Sequence, residues 1–333
     1  MKNNPQISIV LPSYNSAKYL EDSVNSILNQ TFKDFELIII DDGSKDNTQK
    51  ILNKFNDKRI KKVKHKKNIG LVRSLNEGIR LAKGKYLARM DADDVCFPDR
   101  LISQINFLKS NPDITFCGTL VKTSGDYVQV WNLPLYNDEM KVHLLFGSPL
   151  AHPSVLIRRI NDFYYDENYQ HVEDYELWFR LSKKYKMANI AKVLLNYRMY
   201  ADSATNRNDK KVLKARKNIV KIILNNLRLF PSNGDLNLHL SFWETHYEKN
   251  QLYIARCLEW FRTIAKKNKD LRVYSQFELN ALLGAKLLDV LVNYYGLNIK
   301  TIYYMLNSGF FFDFLRKYPI KKFRELKNRF LYE

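Results

Sequence analysis

The chain has 333 residues and a mass of 39.5 kDa, enough for two domains, and its 45% hydrophobic and 27% charged content excludes a generically disordered or low-complexity chain. Cys96, Cys117 and Cys257 form no CxxC pair, which excludes a disulfide framework and a cysteine-based zinc site; no apolar run reaches bilayer length and no signal-peptide core follows Met1, so a cytoplasmic protein is expected. The net charge of +19 is uneven: residues 205–333 hold 24 Lys/Arg against 11 Asp/Glu (net +13), and residues 1–204 hold 30 against 24 (net +6), a balance that attracts nucleic acid, anionic lipid or anionic metabolites.

Residues 7–11, Ile-Ser-Ile-Val-Leu, read as a buried strand stopped by Pro12. Leu20, Val24, Ile27 and Leu28 then recur at helical spacing. Residues 35–40 form a second strand, apolar on both faces as in a covered sheet. Asp41-Asp42-Gly43-Ser44 ends it, and Asp46 is placed to cap a helix beginning near Asn47. Leu71, Leu75 and Ile79 mark another helix, with Gly84 just past its end. Residues 86–90 read as a strand running into Asp91-Ala92-Asp93-Asp94. Strands alternating with helices imply parallel βαβ units, in which ligands bind at the carboxyl ends of the strands. Asn15, Asp41, Asp42, Asp91 and Asp93 all follow strand ends and are expected to meet on one edge. From 113 to 200 the pattern is mixed, with a strand at 114–117 and a helix at 173–184. Beyond 205 the chain reads as helical, basic and rich in Tyr and Phe, and residues 202–209 make the best linker.

The chemistry-bearing segments are individually modest. Carboxylates as close as Asp91, Asp93 and Asp94 repel one another unless a cation neutralises them. A hard cation such as Mg²⁺ or Mn²⁺ bridges carboxylates to a diphosphate; alone, the tripeptide is common and more often marks a solvated acidic turn. Tyr14 is placed to stack on a base and Asn15 to hydrogen-bond beside it. Asp41 and Asp42 offer carboxylates to a base N–H, and Asn68 and Asn76 offer amides nearby. Each of these also suits an ordinary turn or helix cap.

Taken in order, Ser8 to Asn15, Ser26 to Phe32, Ile39 to Thr48, Asn68-Ile69-Gly70 with Asn76, and Met90 to Asp94 with Pro98-Asp99-Arg100-Leu101 resemble the family 2 glycosyltransferases. The resemblance is close over about residues 5–120 and looser to about 200. It implies an α/β GT-A fold: a Rossmann-like nucleotide-diphospho-sugar transferase with a mostly parallel sheet and helices on both faces. It implies a catalytic domain over 1–204 (a nucleotide-sugar half to 120, an acceptor half from 121) and a helical basic region over 205–333. By position, Pro12, Tyr14 and Asn15 resemble the base site, with Asn68 beside it. Asp42 matches the carboxylate that reads the uracil edge, with Asp41 as neighbour. Asp91 approaches the ribose, Ala92 belongs to the same nucleotide-sugar site, and Asp93 binds the metal, Mn²⁺ or Mg²⁺; Asp94 is a common extra acid. Residues 172–180 resemble the acceptor helix, which makes Asp174 the base and Glu173 an acceptor-binding residue, with His152 toward the diphosphate or acceptor. Many relatives carry a metal-ligand His after a Tyr-Arg pair; Tyr200 stands where that His is expected.

The implied activity is an inverting, metal-dependent transfer from a UDP-sugar to a glycan or polyprenyl-linked acceptor, in lipopolysaccharide, capsule or another surface polysaccharide. In the C-terminal third, aromatic and basic residues alternate over 310–333, which suits an anionic membrane surface or, slightly better, packing on the catalytic domain or a second subunit. An oxidoreductase lacks its GxGxxG, and neither a P-loop nor a GxSxG elbow is present. The alternative class is a basic nucleic-acid- or membrane-binding protein on an inactive scaffold. No nucleic-acid module is visible, so no specific nucleic-acid partner is expected.

Overall fold

The computed structural model describes residues 4–126, 128–199, 210–244 and 247–318. They fall into two compact units: residues up to 140 with 148–216, and residues 141–147 with 217 onward. The boundary expected at 204/205 and the linker expected at 202–209 lie outside the described residues.

The first unit is built on one sheet. Its strands are β1 (Ile7–Ser13), β2 (Phe35–Asp41), β3 (Ile60–Lys64), β4 (Tyr86–Arg89), β5 (Val95–Cys96), β6 (Ile114–Gly125), β7 (Leu156–Arg158) and β8 (Lys186–Met199). They lie in the order β3-β2-β1-β4-β7-β6-β8-β5. β1 runs parallel to β2 and β4, β2 to β3, and β6 to β8; β7 is antiparallel to β4 and β6, and β5 to β8. The helices are α1 (Leu20–Leu28), α2 (Thr48–Lys54), α3 (Leu71–Leu81), α4 (Arg100–Ser110), α5 (Asn137–His143), which reaches into the second unit, and α6 (Glu173–Ser182).

Alternation along β1 explains the layering. Ile7, Ile9 and Leu11 join one buried cluster with Leu20, Val24 and Ile27 of α1 and Leu101 and Ile105 of α4. Val10 points to the other face, where a Cβ on Gly78 of α3 would stand 2.3 Å from its Cγ1. Successive side chains alternate across a strand, so α1 and α4 cover one face and α3 the other.

One sequence expectation changes here. β1 does not stop at Pro12 but runs to Ser13, with Pro12 in register with Ile40. Met90 N–H donates to Val10 O, so the backbone of Val10 faces β4 and that of Pro12 faces the same way. Pairing with β4 ends at Arg89, so the N–H that proline lacks has no ladder to serve. Gly84 lies just past the end of α3, as expected. α3 ends at Ala82 in extended backbone, and a Cβ on Gly84 would lie 2.5 Å from the Ser8 backbone nitrogen. β3, absent from the sequence reading, is an edge strand in which Lys61, Lys62 and Lys64 are exposed while Ile60 and Val63 are half-buried. Such lysines blunt an exposed edge.

The second unit is helical. After α7 (Lys210–Asn225), which straddles both units, come α8 (Asn233–Glu244), α9 (Gln251–Leu271), α10 (Gln276–Tyr295), α11 (Ile299–Leu306) and α12 (Phe311–Lys317). Asn250, Ser275 and Asn298 accept backbone N–H bonds at the starts of α9, α10 and α11, as N-caps do. Residues 141–147 belong with these helices for a visible reason. His239 Nε2 lies 2.6 Å from Leu145 O, and the Phe146 ring stacks on His239 at 4.7 Å and meets Phe242 and Phe261 edge-on. Phe310 and Phe314 are buried, packing where Gly284 of α10 leaves room. Of the segment 310–333 expected to face a membrane or the core, the described part therefore packs partly on α10; residues 319–333 lie outside the described residues. No helix among the described residues is long and apolar enough to cross a membrane.

The contact at Gly84 sets a test. Gly84→Ala forces the β1 backbone to shift and is expected to cost roughly 2 kcal/mol, seen as a lower chemical-denaturation midpoint for the first unit.

Candidate active site

The carboxyl ends of β1, β2 and β4 carry the site. In the first group of residues, Asn15 leaves β1 in a left-handed conformation, φ 51°, which Asn tolerates better than most residues. Its amide oxygen accepts the Lys45 N–H at 2.8 Å, and its own N–H donates to Ser44 Oγ at 2.9 Å. The loops after β1 and β2 are thereby tied together; Pro12 is buried and Tyr14 half exposed. Asp41 is fully buried, and its Oδ1 accepts the Ser44 N–H at 3.0 Å.

Asp42 organises the next loop. Its carboxylate accepts the N–H groups of Ile69 and Gly70, both at 2.9 Å, and lies 2.7 Å from His65 Nδ1. The other His65 nitrogen lies 2.7 Å from Glu77 Oε2. Burial disfavours a charged His65, but hydrogen bonds to Asp42 and Glu77 outweigh it and hold its pKa above the ordinary value. Gly43, at φ 71°, permits the close approach: a Cβ there would meet Lys67 C at 2.6 Å and Asn68 N at 2.8 Å. Asn68 is thus brought beside the β2 loop and is exposed. Asp42 Oδ1 meets His65 and Ile69 while Oδ2 accepts from Gly70 alone, so Oδ2 keeps a lone pair for a further N–H donor.

The second group surrounds the end of β4. Asp91, Asp93 and Asp94 offer oxygens all within 4.8 Å of one another, with Ala92 buried between them. Burial and then Asp91 push the Asp93 carboxyl up to about 6, and the same two influences, with Asp93 added, hold Asp94 well above the usual range. Asp94 Oδ1 accepts the Arg198 N–H at 2.9 Å; its buried Oδ2 has no hydrogen-bond partner among the described residues. Glu173 and Asp174 open the first turn of α6, where acids are favoured by the helix dipole. Burial, then Asp174, pushes Glu173 up to about 7, and burial also raises Asp174.

Arg89 joins these acids. The guanidinium is buried at the last residue of β4 and pairs with Asp91 Oδ2. Burial works against its charge, but Asp91, Tyr165 and Asp94 more than offset that. Its field also favours the ionised forms of Glu173, Asp174, Asp93 and Asp94. Arg100, in the Pro98-to-Leu101 motif, donates to the Arg89 carbonyl at 2.8 Å and so pins the strand end. His152, in a 3-10 turn, lies 2.7 Å from the Tyr165 hydroxyl through Nε2. Burial, with Arg89 second, holds it well below the ordinary imidazole value, so it is neutral. Asn76 clamps Tyr165 from α3, accepting its N–H at 2.9 Å and donating to its carbonyl at 2.8 Å.

The sequence-predicted residues thus fall into two groups on adjoining strand ends. Tyr200 lies outside the described residues. Sequence reading missed Arg89, His65 and Tyr165. Arg89 did carry a signal: a charged residue inside an otherwise apolar strand is rarely buried without a partner. His65 and Tyr165 carried none, because their partners lie 12 to 89 residues away.

The sequence model of Glycosyl transferase family 2 matches residues 8–182. A Haemophilus influenzae protein described as an uncharacterized glycosyltransferase is 32% identical over 225 residues, covering 62% of this chain and 69% of that one. An uncharacterized glycosyltransferase of Methanocaldococcus jannaschii is 32% identical over 208 residues, covering 59% and 72%. Among solved structures, S. aureus TarS 1-349 in complex with UDP-GlcNAc aligns with a TM-score of 0.54 at 17% identity, covering 93% of this chain and 89% of that one. The mannosyltransferase PcManGT from Pyrobaculum calidifontis, in complex with GDP-Man and Mn²⁺, aligns with a TM-score of 0.51 at 14% identity, covering 95% and 87%. At such identities these two share the fold.

Two outcomes test this geometry. His65 binds its proton more tightly folded than unfolded, so its contribution to stability is complete below about pH 6.5 and is lost as pH rises through the higher folded value. The melting-temperature gap between wild type and His65→Gln is therefore expected to be wide in mild acid and to shrink in mild alkali. Arg89→Met leaves Asp91 without its cation and is expected to cost roughly 3 kcal/mol, measured by urea denaturation, with Arg89→Lys recovering part.

Proposed function

Because the chain belongs to glycosyl transferase family 2, we propose that it moves a hexose or N-acetylhexosamine from a UDP-sugar, with inversion, to a glycan or polyprenyl-linked acceptor in surface polysaccharide synthesis such as lipopolysaccharide or capsule. The observation that carries this reading is the convergence of Asp91, Asp93 and Asp94 with Glu173 and Asp174 around Arg89. In this reading the three aspartates serve the diphosphate and the α6 pair supplies the base. The fold neighbours solved with UDP-GlcNAc and with GDP-Man and Mn²⁺ support a nucleotide-sugar donor.

The acids at the end of β4 fit a divalent cation. They are oxygen donors within 4.8 Å, one buried oxygen is unpartnered among the described residues, and their mutual repulsion favours a positive guest. Asp93 would hold Mn²⁺ or Mg²⁺, with Asp91 and Asp94 beside it. When bound, the ion supplies neutralisation of the charge growing on the departing diphosphate.

The chain's own residues do the rest. Tyr14 stacks on the base, and Pro12, Asn15, Asp41 and Asn68 frame its pocket; Asp42, which holds the Ile69–Gly70 loop, accepts an N–H of the uracil edge. Asp91, oriented by Arg89, and the Ala92 backbone receive the ribose. Asp174 takes the proton of the acceptor hydroxyl as that oxygen attacks the anomeric carbon and the nucleotide diphosphate leaves from the opposite face. Burial suits this role, because a carboxylate whose pKa is raised toward neutrality is a stronger base. Glu173 binds the acceptor beside it. Neutral His152, fixed by Tyr165, offers an uncharged hydrogen bond on the acceptor side.

Calorimetry tests the donor site, with UDP and GDP each titrated in the presence and absence of Mn²⁺. UDP is expected to bind only with Mn²⁺, and Asp93→Ala to weaken it by roughly 10- to 100-fold. No metal-linked binding of either nucleotide would sink the reading. Asp174→Asn is expected to leave that binding intact while cutting donor turnover, followed as UDP release, by roughly 100- to 10,000-fold.

A further inference from the structure

We propose that the outward face of α11 is a docking surface for an anionic lipid bilayer. Four of the eight residues of this helix, Ile299, Ile302, Tyr303 and Leu306, are 82%, 56%, 64% and 50% exposed. They recur at i, i+3, i+4 and i+7, which places them in one stripe. Thr301 and Met305, which point elsewhere on the helix, are both only 2% exposed. The stripe is therefore what remains after the helix has docked on its own unit. Leu297 just before it and Phe312 just after it are 52% and 78% exposed. Scattered apolar side chains on a surface are ordinary; six large ones within sixteen consecutive residues mark an interaction site.

Charge selects the occupant. α11 contains no acidic residue, and its one charged side chain is Lys300, whose Nζ lies 5.7 Å from the centre of the Tyr295 ring. Arg316 is exposed on α12. The sequence after Tyr318 adds five Lys/Arg against two acids, and residues 205–333 as a whole carry +13. A second copy of the chain would bring the same positive charge to the contact, and like charges repel within the Debye length of about 10 Å at 0.1 M salt. RNA would satisfy the charge but leave the aliphatic stripe in water. A bilayer with anionic headgroups satisfies both. The aliphatic side chains enter the acyl boundary, Tyr303 sits at headgroup level with its hydroxyl in water, and the lysines and arginines meet the lipid phosphates. The surface rests on the proposed transfer only for its purpose, which is to meet a lipid-linked acceptor; its physical basis is independent of the donor site.

Sedimentation with vesicles tests it. The full chain is mixed with vesicles of equimolar phosphatidylglycerol and phosphatidylcholine, or of phosphatidylcholine alone. The expected result is pelleting with the anionic vesicles only. Ile302→Ser combined with Leu306→Ser should lower the bound fraction roughly tenfold, while Phe230→Ser, at an exposed site outside the stripe, should not. The substituted positions are exposed, so melting temperature and UDP binding of the double variant should match wild type. Wild type left in the supernatant overturns the proposal. So does binding that survives the double substitution but is lost on truncation after Tyr318. So does a dimer, seen by light scattering, that the double substitution abolishes without any vesicle binding. Vesicle binding by a wild type that fails to bind UDP supports the surface and counts against the donor site alone.

Discussion

A permanently charged guanidinium, buried at the end of a central strand, is the constraint on which this site depends. At 4.8 Å and an effective dielectric of about 20, each pair of ionised carboxylates repels by about 3 kcal/mol. A typical hydrogen bond contributes a net of about 1 kcal/mol. Hydrogen bonds alone therefore cannot hold Asp91, Asp93 and Asp94 ionised together. Arg89 offsets part of that repulsion from within the fold; burial first, and then the repulsion that is left, raise the carboxyls of Asp93 and Asp94. A site that retains uncompensated negative charge is prepared for a cation. The same field reaches Glu173 and Asp174 on α6, so one residue conditions acids from two distant parts of the chain.

The second constraint is the way loops are fastened. Asn15 ties the ends of β1 and β2. Asp42 and His65 fasten the loop that begins α3. Asn76, on that same helix, clamps the segment carrying Tyr165. Each fastening uses a side chain from one βα unit to satisfy backbone groups of another. The strand ends provide direction, and these bonds provide relative position.

Much of this was legible in the sequence because it is local. The apolar runs at 7–11 and 35–40, the helical spacing at 20–28 and the acid cluster after residue 90 each declare themselves within a few residues. β3 was not legible, since three lysines in five residues hide an edge strand. Pro12 misled because its missing N–H is costly only where a neighbouring strand continues, and β4 does not. Asp42 was legible as a strand-end acid, but not as a residue whose oxygens are already engaged, because His65, Ile69 and Gly70 reach it from the next loop. Arg89 was visible as an anomaly whose meaning required knowing what lay across the sheet. In the C-terminal third, periodicity over 310–333 drew attention to one segment, while the exposed stripe lies just before it on α11. Telling a packed apolar face from an open one required Gly284 and the ring contacts of α12.

The central claim is that the end of β4 holds a metal-linked nucleotide. Anomalous diffraction from crystals soaked with Mn²⁺ and UDP addresses it most directly. The account predicts one strong peak among the carboxylates of Asp91, Asp93 and Asp94, with diphosphate density against it and the uracil ring near Tyr14. A well-ordered UDP bound elsewhere, or an anomalous peak away from these three acids, would contradict it.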